Sequence, residues 1–360
     1  MNIEALNQAK RLVESRSGAA QLCVLRHGEV VLDLSVRCEP DALFLLWSAG
    51  KPFLTMAVHR LAERGLLDLD DPIRRHWPGY ERHGKEAVTP RHVLRHRSGV
   101  PLSTGSVLRE TPAMSDWDRS VRAAANAKPK WPVDEVTAYH ILSYGFILGE
   151  LVRRVDGRPI ERFIREEILH PAGLLDTRLG LTPDLRARRA TLVTPPRSFT
   201  APRSARHGFL ADRWKLAHFE RHATADQIIP AANVHSTARG IARFYQVLLD
   251  DGGIDGVRIF DPKTVAEARR PALSDSETAA EAEPDRVIGH AVRWSQGLQL
   301  GWGTHRVATA RPFGVTAGRN VFCHNGSNYC NAWADPHHGL VFAYLTKLVD
   351  PRTEALRVQT

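Results

Sequence analysis

The chain has 360 residues, of which 43% are hydrophobic and 25% charged, values close to those of ordinary soluble globular proteins. This composition excludes an intrinsically disordered chain, and the length predicts one large body or two modest cores. The formal net charge is +9, but the Arg-rich stretches lack the interleaved aromatic residues of a nucleic-acid platform. We therefore expect no nucleic-acid partner.

The first predicted elements are a helix, a hairpin and a buried helix. Residues 1–17 carry apolar side chains on one helical side. Ala20–Arg26 and Glu29–Val36 have the pattern of two strands joined by a tight turn. Apolar residues cover most of the circumference of a helix over Lys51–Arg64, which indicates burial on nearly all sides, and Gly65 ends it.

The middle of the chain is predicted to be helical. Helical patterns separated by Pro- and Gly-rich turns occur at Pro90–Arg97, Asp116–Lys128, Tyr139–Val155 and Pro159–Leu169. Strand patterns are weak there. Thr191–Ala223 has little periodicity and many Arg and His residues, so we predict a long surface excursion.

The last third returns to strands after one more helix, at Thr237–Asp250. Strand patterns occur at Val321–His324, Asn331–Ala334 and Leu340–Leu345. Because strands occupy both ends of the chain, the simplest assembly is one antiparallel sheet flanked by helices, with a mostly helical domain inserted in the middle. The fold class is therefore α+β, with a sheet domain over 1–75 and 228–360 and a helical domain over 76–227.

Targeting and redox features indicate a cytoplasmic protein. Residues 1–17 lack the continuous apolar core of a signal peptide, and the chain has no run of about 18 apolar residues, so no membrane partner is expected. The four cysteines form no C-x-x-C pair and are too few for a disulfide framework, which favours reduced thiols. The oligomeric state stays open.

Ser48 and Lys51 form an S-x-x-K pair where the buried helix begins. Residues three apart share a helix face, so the lysine amine can reach the serine hydroxyl. A serine hydroxyl needs a neighbouring base, and burial disfavours a charged lysine. The pair therefore predicts a serine nucleophile with Lys51 as proton acceptor, against the alternative of an N-capping serine and a solvated lysine.

Other catalytic and binding motifs are absent or incomplete. The sequence has no G-x-S-x-G, and Gly50-Lys51 lacks the surrounding residues of a phosphate-binding loop. His92 and His96 lie four apart without the glutamate of H-E-x-x-H. We expect no metal and no cofactor.

The context of the S-x-x-K pair resembles the serine β-lactamase and penicillin-binding protein family, particularly its esterase-like members related to class C β-lactamases. The resemblance rests on Ser48–Asp71 with the run Gly65–Pro72, and it continues through Val88–Pro101 and Ile229–Leu248. It implies a β-lactamase/transpeptidase-like fold.

The resemblance also implies a role for Tyr139, which with His140 is similar to the family's Y-x-N or Y-H motif. A phenol with a lowered pKa beside Lys51 would relay the serine proton and later protonate the leaving group. The alternative is a core tyrosine. Ile141 stands where Y-x-N has its asparagine, which favours esters over peptides and β-lactams.

A third motif is His324-Asn325-Gly326, which resembles the H-x-G form of the family's K-T-G strand. Gly326 would allow close backbone approach to a substrate, and His324 would shape the pocket or hold the polar end of the acyl group. The alternative is an ordinary strand histidine. The backbone N–H of Ser327, with that of Ser48, would form the oxyanion hole. Tyr329 stands where many relatives have a small residue and would narrow the acyl pocket.

These expectations favour an enzyme that forms an acyl-enzyme on Ser48 and hydrolyses a small-molecule carboxylic ester. The alternative is an acyltransferase that passes the acyl group to an amine or alcohol. A β-lactamase or a cell-wall DD-peptidase is disfavoured by Ile141 and by the lack of a signal peptide. A catalytically silent binding module is disfavoured because Ser48, Lys51 and Tyr139 are all present.

Overall fold

The first and last strands pair with each other inside an antiparallel sheet. The computed structural model describes residues 3–192, 217–273, 283–302, 313, 317–327 and 330–347. Within these residues the strands are β1 (Ala20–Arg26), β2 (Glu29–Val36), β3 (Phe44–Leu45), β4 (Arg178–Leu179), β5 (Val234–Ser236), β6 (Gly253–Ile254), β7 (Val257–Arg258), β8 (Gln299–Leu300), β9 (Phe322–Asn325), β10 (Asn331–Asp335) and β11 (Leu340–Thr346). The main sheet has the order β2-β1-β11-β10-β9-β8.

Helices cover both faces of this sheet and form the body beside it. They are α1 (Ile3–Glu14), α2 (Lys51–Glu63), α3 (Pro90–Leu94), α4 (Val107–Ala113), α5 (Trp117–Asn126), α6 (Ser143–Asp156), α7 (Ile160–Ile164), α8 (His222–Ala225), α9 (Ala238–Leu249) and α10 (Pro262–Arg269). None of the helices in the described part of the chain combines the length and apolarity needed to cross a bilayer.

Strand β1 shows why the sheet lies between two layers. Its side chains alternate between faces: Leu22 and Val24 pack with Val13 of α1, whereas Cys23 and Leu25 belong to the larger core on the other face. Both faces are therefore buried, which agrees with the apolar composition of the strand.

Helix α2 lies inside the larger hydrophobic core. Ten of its thirteen residues are buried, as the sequence predicted, and the Phe53 ring packs on Phe244 of α9 with a centroid separation of 4.1 Å. The larger core continues from the sheet through α2 into α6 and α7. Because this core is continuous, the boundaries at 75/76 and 227/228 stay predictions.

The α+β architecture with an antiparallel sheet is confirmed, and the predicted strands lie within a residue or two of the observed ones. The short elements α4, β6, β7, β8 and α10 were not predicted, and other features also differ. The helix predicted from Tyr139 begins only at Ser143, and the helix predicted over Pro159–Leu169 divides into α7 and a π-helical turn, Arg165–Leu169. The short sheet β3-β5-β4 was not predicted.

Two further predictions concern the long surface excursion and the state of the cysteines. Most of the surface excursion, residues 193–216, lies outside the described residues. All four cysteines are free thiols in this structure, and the reduced state in the cell stays a prediction.

Candidate active site

Ser48 lies on a 3-10 turn, Trp47–Gly50, that connects β3 to α2. Trp47 has φ 54°, a left-handed conformation that costs a non-glycine residue about 1 kcal/mol or more. Packing holds the turn: the Trp47 ring lies 4.6 Å from that of Phe219, and a Cβ on Gly50 would come within 2.7 Å of Val234. The turn leaves Ser48 half-buried, while the residues around it are buried.

Lys51 is fully buried and its amine is held by three oxygens. Its Nζ lies 3.0 Å from Ser48 Oγ, 3.0 Å from the carbonyl oxygen of Ile141 and 3.2 Å from that of Ala231. Carbonyl oxygens accept only, so they take two N–H groups and the third position of the amine faces the hydroxyl. An unprotonated Lys51 would therefore direct its lone pair at the proton of Ser48.

The environment of Lys51 allows the unprotonated form to be populated at neutral pH. Burial lowers the Lys51 pKa to about 7, and the negative charge of Glu110 opposes that shift. Glu110 is itself buried, and its Oε1 accepts the Ser103 N–H at 2.7 Å. Burial raises the Glu110 pKa to about 7. The pKa of the lysine is thus set by burial against one buried carboxyl.

Tyr139 lies in a segment without regular secondary structure just before α6, with its ring against Lys51. The Lys51 Nζ is 4.8 Å from the ring centroid, and the ring stacks on Trp294 at 5.7 Å with planes 8° apart. The phenol oxygen is buried and makes no hydrogen bond of normal distance and angle to any described residue. The structure therefore brings together the three side chains that the sequence predicted to meet.

The predicted lowering of the Tyr139 pKa is wrong. Burial raises this pKa above its ordinary value, an interaction with the Ser48 hydroxyl offsets part of the rise, and the charge of Asp285 adds to it. The reason is that Lys51 contacts the ring face and not the phenol oxygen, so it does not compensate the desolvation. At neutral pH the phenol keeps its proton and acts as a donor.

Asp285 holds the backbone of Tyr139 and was not found from the sequence. Its buried Oδ1 accepts the Tyr139 N–H at 3.0 Å, together with the N–H groups of Val287 and Ile288 at 2.8 and 3.0 Å. The Arg286 N–H also donates to the Thr137 carbonyl at 3.0 Å. In the sequence, Asp285 follows a proline and indicates only a turn.

A layer of uncharged histidines lies behind Tyr139. The His140 N–H donates to His96 Nδ1 at 3.1 Å, and the His96 ring meets Trp294 edge-on at 4.3 Å. Burial lowers the His140 pKa to about 4 and the His96 pKa well below its usual value. These rings therefore add no positive charge beside Lys51. The other histidine of the predicted helix pair, His92, caps α3, and no group of three metal-binding side chains occurs in the described part of the chain.

The H-x-G segment lies on β9 beside the nucleophile turn. A Cβ on Gly326 would come within 2.3 Å of the Leu46 oxygen and 3.1 Å of the Ala49 nitrogen. Glycine is therefore required for the close approach of this strand to the backbone around Ser48. The expected approach of Gly326 to a substrate stays a prediction. His324 is buried. Asn325 is exposed, and its N–H donates to Gln299 Oε1 at 3.1 Å.

Two predicted residues of this segment remain untested. Ser327 follows Gly326 at an exposed position, and the role of its N–H in an oxyanion hole stays a prediction. Tyr329, predicted to narrow the acyl pocket, lies outside the described residues.

Relatives of known sequence match nearly the whole chain. A family model described as Beta-lactamase matches residues 7–359. The chain is 27% identical over 361 residues to a protein of Mycobacterium tuberculosis named esterase/beta-lactamase LipL, covering 93% of this chain and 79% of that one.

Solved structures agree in fold. A penicillin-binding protein homologue from Caulobacter crescentus has a TM-score of 0.79 and 26% identity, covering 99% of this chain and 96% of that one. A family VIII carboxylesterase also has a TM-score of 0.79, at 24% identity, covering 99% and 95%. With a matching family model over almost its full length, the chain belongs to the beta-lactamase family.

Proposed function

We propose that this chain is a serine hydrolase that forms an acyl-enzyme on Ser48 and hydrolyses carboxylic esters of small molecules. The observation that carries the proposal is the 3.0 Å contact between Ser48 Oγ and the buried Lys51 Nζ. Family membership supports the enzyme class, and the M. tuberculosis relative named esterase/beta-lactamase supports ester chemistry.

In acylation, unprotonated Lys51 takes the Ser48 proton as Oγ attacks the ester carbonyl carbon. The Tyr139 phenol donates its proton to the departing alkoxide, and the lysine ammonium returns a proton to the phenol. The products are the ester of Ser48 and a free alcohol, so every proton is accounted for. We assign the developing oxyanion to the N–H groups of Ser48 and Ser327.

Deacylation reverses these roles. Water attacks the acyl-enzyme, its proton passes to the Tyr139–Lys51 pair, and Ser48 leaves with a proton. An alcohol or amine in place of water would give acyl transfer from the same intermediate, so both outcomes share the acylation step. Transfer is therefore tested in the same assay.

Ile141 supports esters over β-lactams and peptides. At the position that holds asparagine in the family's Y-x-N motif, this chain offers the Ile141 backbone carbonyl to Lys51, while the side chain carries no amide to meet a substrate amide. We expect slow turnover of a chromogenic cephalosporin relative to an aryl ester.

The test is intact-mass spectrometry of the protein during turnover of an aryl ester, with peptide mapping of the adduct. We expect one acyl group on Ser48, a burst of aryl alcohol, and loss of both in Ser48→Ala. Ser15→Ala is the matched control, because Ser15 is exposed and its hydroxyl donates to the Leu12 carbonyl of α1. Labelling of another residue, or an unchanged burst in Ser48→Ala, would overturn the proposal. Added alcohols distinguish transfer from hydrolysis by the mass of the product.

A further inference from the structure

The hydrogen bonding of His324 determines which ring nitrogen carries its proton. Nδ1 lies 2.9 Å from the carbonyl oxygen of Asn325, and a carbonyl only accepts, so Nδ1 must be the protonated nitrogen. Burial, with a further contribution from the Lys51 charge, lowers the His324 pKa to about 3. At neutral pH the ring is therefore uncharged, and Nε2 carries a lone pair and no hydrogen.

Within the described part of the chain, this lone pair has no partner. His324 is 1% exposed, and its Nε2 has no hydrogen-bond partner among the described residues. Leaving a buried acceptor unpaired costs about 1–3 kcal/mol, so a native protein tends to keep such a group for a purpose.

The position of His324 indicates what that purpose is. Its ring centroid lies 6.1 Å from that of Tyr139 and 5.7 Å from that of Trp294, so the imidazole belongs to the ring cluster that surrounds the phenol. Lys51 is close enough to influence its protonation. A group that satisfies Nε2 would therefore sit beside the reacting ester.

We propose that His324 Nε2 accepts a hydrogen bond from the bound ester, so that the site selects substrates carrying a hydroxyl or amide N–H and disfavours those carrying a carboxylate. This rests on the proposed function and names its substrate class. A lysine, the first residue of the K-T-G form of the motif, would place donors and a positive charge at the same position. The neutral histidine has the opposite polarity, because its lone pair repels an anion.

A competing role for Nε2 is to accept the Tyr139 hydroxyl, which also lacks a regular partner among the described side chains. In that role His324 would support the proton relay for every ester equally. The two roles are distinguished by the ratio of kcat/KM between two substrates. Loss of a general proton relay would lower kcat/KM for both esters and leave their ratio unchanged.

The experiment measures kcat/KM for matched aryl esters whose acyl chains end in hydroxyl, methyl or carboxylate, and for a second series with these groups on the alcohol part. We expect the hydroxyl ester to exceed its methyl counterpart about 10-fold in one series, and His324→Phe to bring that ratio to about 1. His324→Lys should raise the carboxylate ester relative to the methyl one. His235→Phe is the matched control, a buried histidine on β5, and should keep the wild-type ratio.

Equal ratios in wild type and His324→Phe would overturn the inference while leaving the acyl-enzyme proposal intact. Failure of every ester to acylate Ser48 would instead overturn the proposed function, and the inference with it. Nitrogen-15 NMR of the wild-type histidines, assigned with the His324 variants, is an independent readout. It should show His324 neutral and protonated at Nδ1 at pH 7; a charged ring or a proton at Nε2 would refute the acceptor role.

Discussion

Two buried lysines in this molecule have nearly the same surroundings. Lys85, in the loop before α3, is 1% exposed and donates to the carbonyl oxygens of Arg82, Ala125 and Ala127 at 2.7 to 3.0 Å. Its Nζ lies 5.2 Å from the centroid of the buried Tyr80 ring, much as Lys51 lies against Tyr139.

The difference between the two lies in one oxygen. Every N–H of Lys85 meets a carbonyl, and a carbonyl has no proton to give. Lys51 exchanges one carbonyl for the Ser48 hydroxyl, which both accepts and donates. Burial lowers the pKa of both amines, to about 8 for Lys85 and about 7 for Lys51. The comparison teaches that burial makes a lysine less basic, while the third partner decides whether it can act as a base.

The largest effect is expected from Lys51→Met, which removes the proton acceptor. The kcat for an activated ester should fall about 10³-fold. Lys85→Met should keep kcat, and both variants should lose about 1–3 kcal/mol of unfolding free energy because carbonyl oxygens lose their donors. Steady-state kinetics and urea unfolding measure the two quantities. A similar loss of kcat in both variants would remove the distinction between the two lysines.

The second largest effect on kcat is expected at the tyrosines that lie beside the two lysines. Tyr139→Phe removes the proton donor for the leaving group and should lower kcat about 10²-fold. Tyr80→Phe removes a buried hydroxyl that also has no partner in the described structure and should leave kcat unchanged. The comparison uses esters of a poor leaving group, where protonation matters most. Equal rates in both variants would make Tyr139 a core residue.

A smaller effect is expected at Asp285, which acts through the position of Tyr139. Asp285→Ala leaves the Tyr139 N–H unpaired, and we expect kcat to fall about 10-fold with KM nearly constant. Asp285→Asn keeps an acceptor oxygen and should restore most of the rate. If both variants change only the unfolding free energy, the residue stabilises the loop without positioning the phenol.

The smallest effect concerns pH. Lys51 must lose its proton to act, so kcat/KM should fall as the pH decreases through about 7. Glu110 stabilises the charged lysine, and Glu110→Gln should therefore move this acidic limb to lower pH by about 0.5 unit. His140 and His324, whose pKa values burial lowers to about 4 and about 3, cannot produce a limb near 7. An unmoved limb in Glu110→Gln would exclude this coupling.

Local patterns predicted the elements that local chemistry determines. The β1–β2 hairpin and helix α2 follow from alternation, helical periodicity and a terminating glycine, and the structure confirms them. The Ser48–Lys51 contact was also predictable, because the two residues are only three positions apart in the same chain segment.

Contacts between distant segments limited the rest. The helix predicted to begin at Tyr139 starts at Ser143, because the preceding residues bond elsewhere: the Tyr139 N–H to Asp285 and the Ile141 N–H to the Pro101 carbonyl. The raised pKa of Tyr139 depends on burial and on where the Lys51 amine meets the ring. Neither is visible in a sequence pattern.

The antiparallel pairing of β1 with β11 sets the order of events during synthesis. Ala20 pairs with Thr346 and Arg26 with Leu340, so an early strand remains without one of its neighbours until the ribosome has delivered most of the chain. Such long-range pairing slows folding. Until β11 is present, β1 exposes an apolar edge that can aggregate. A nascent chain of this protein should therefore depend on chaperones until translation passes β11.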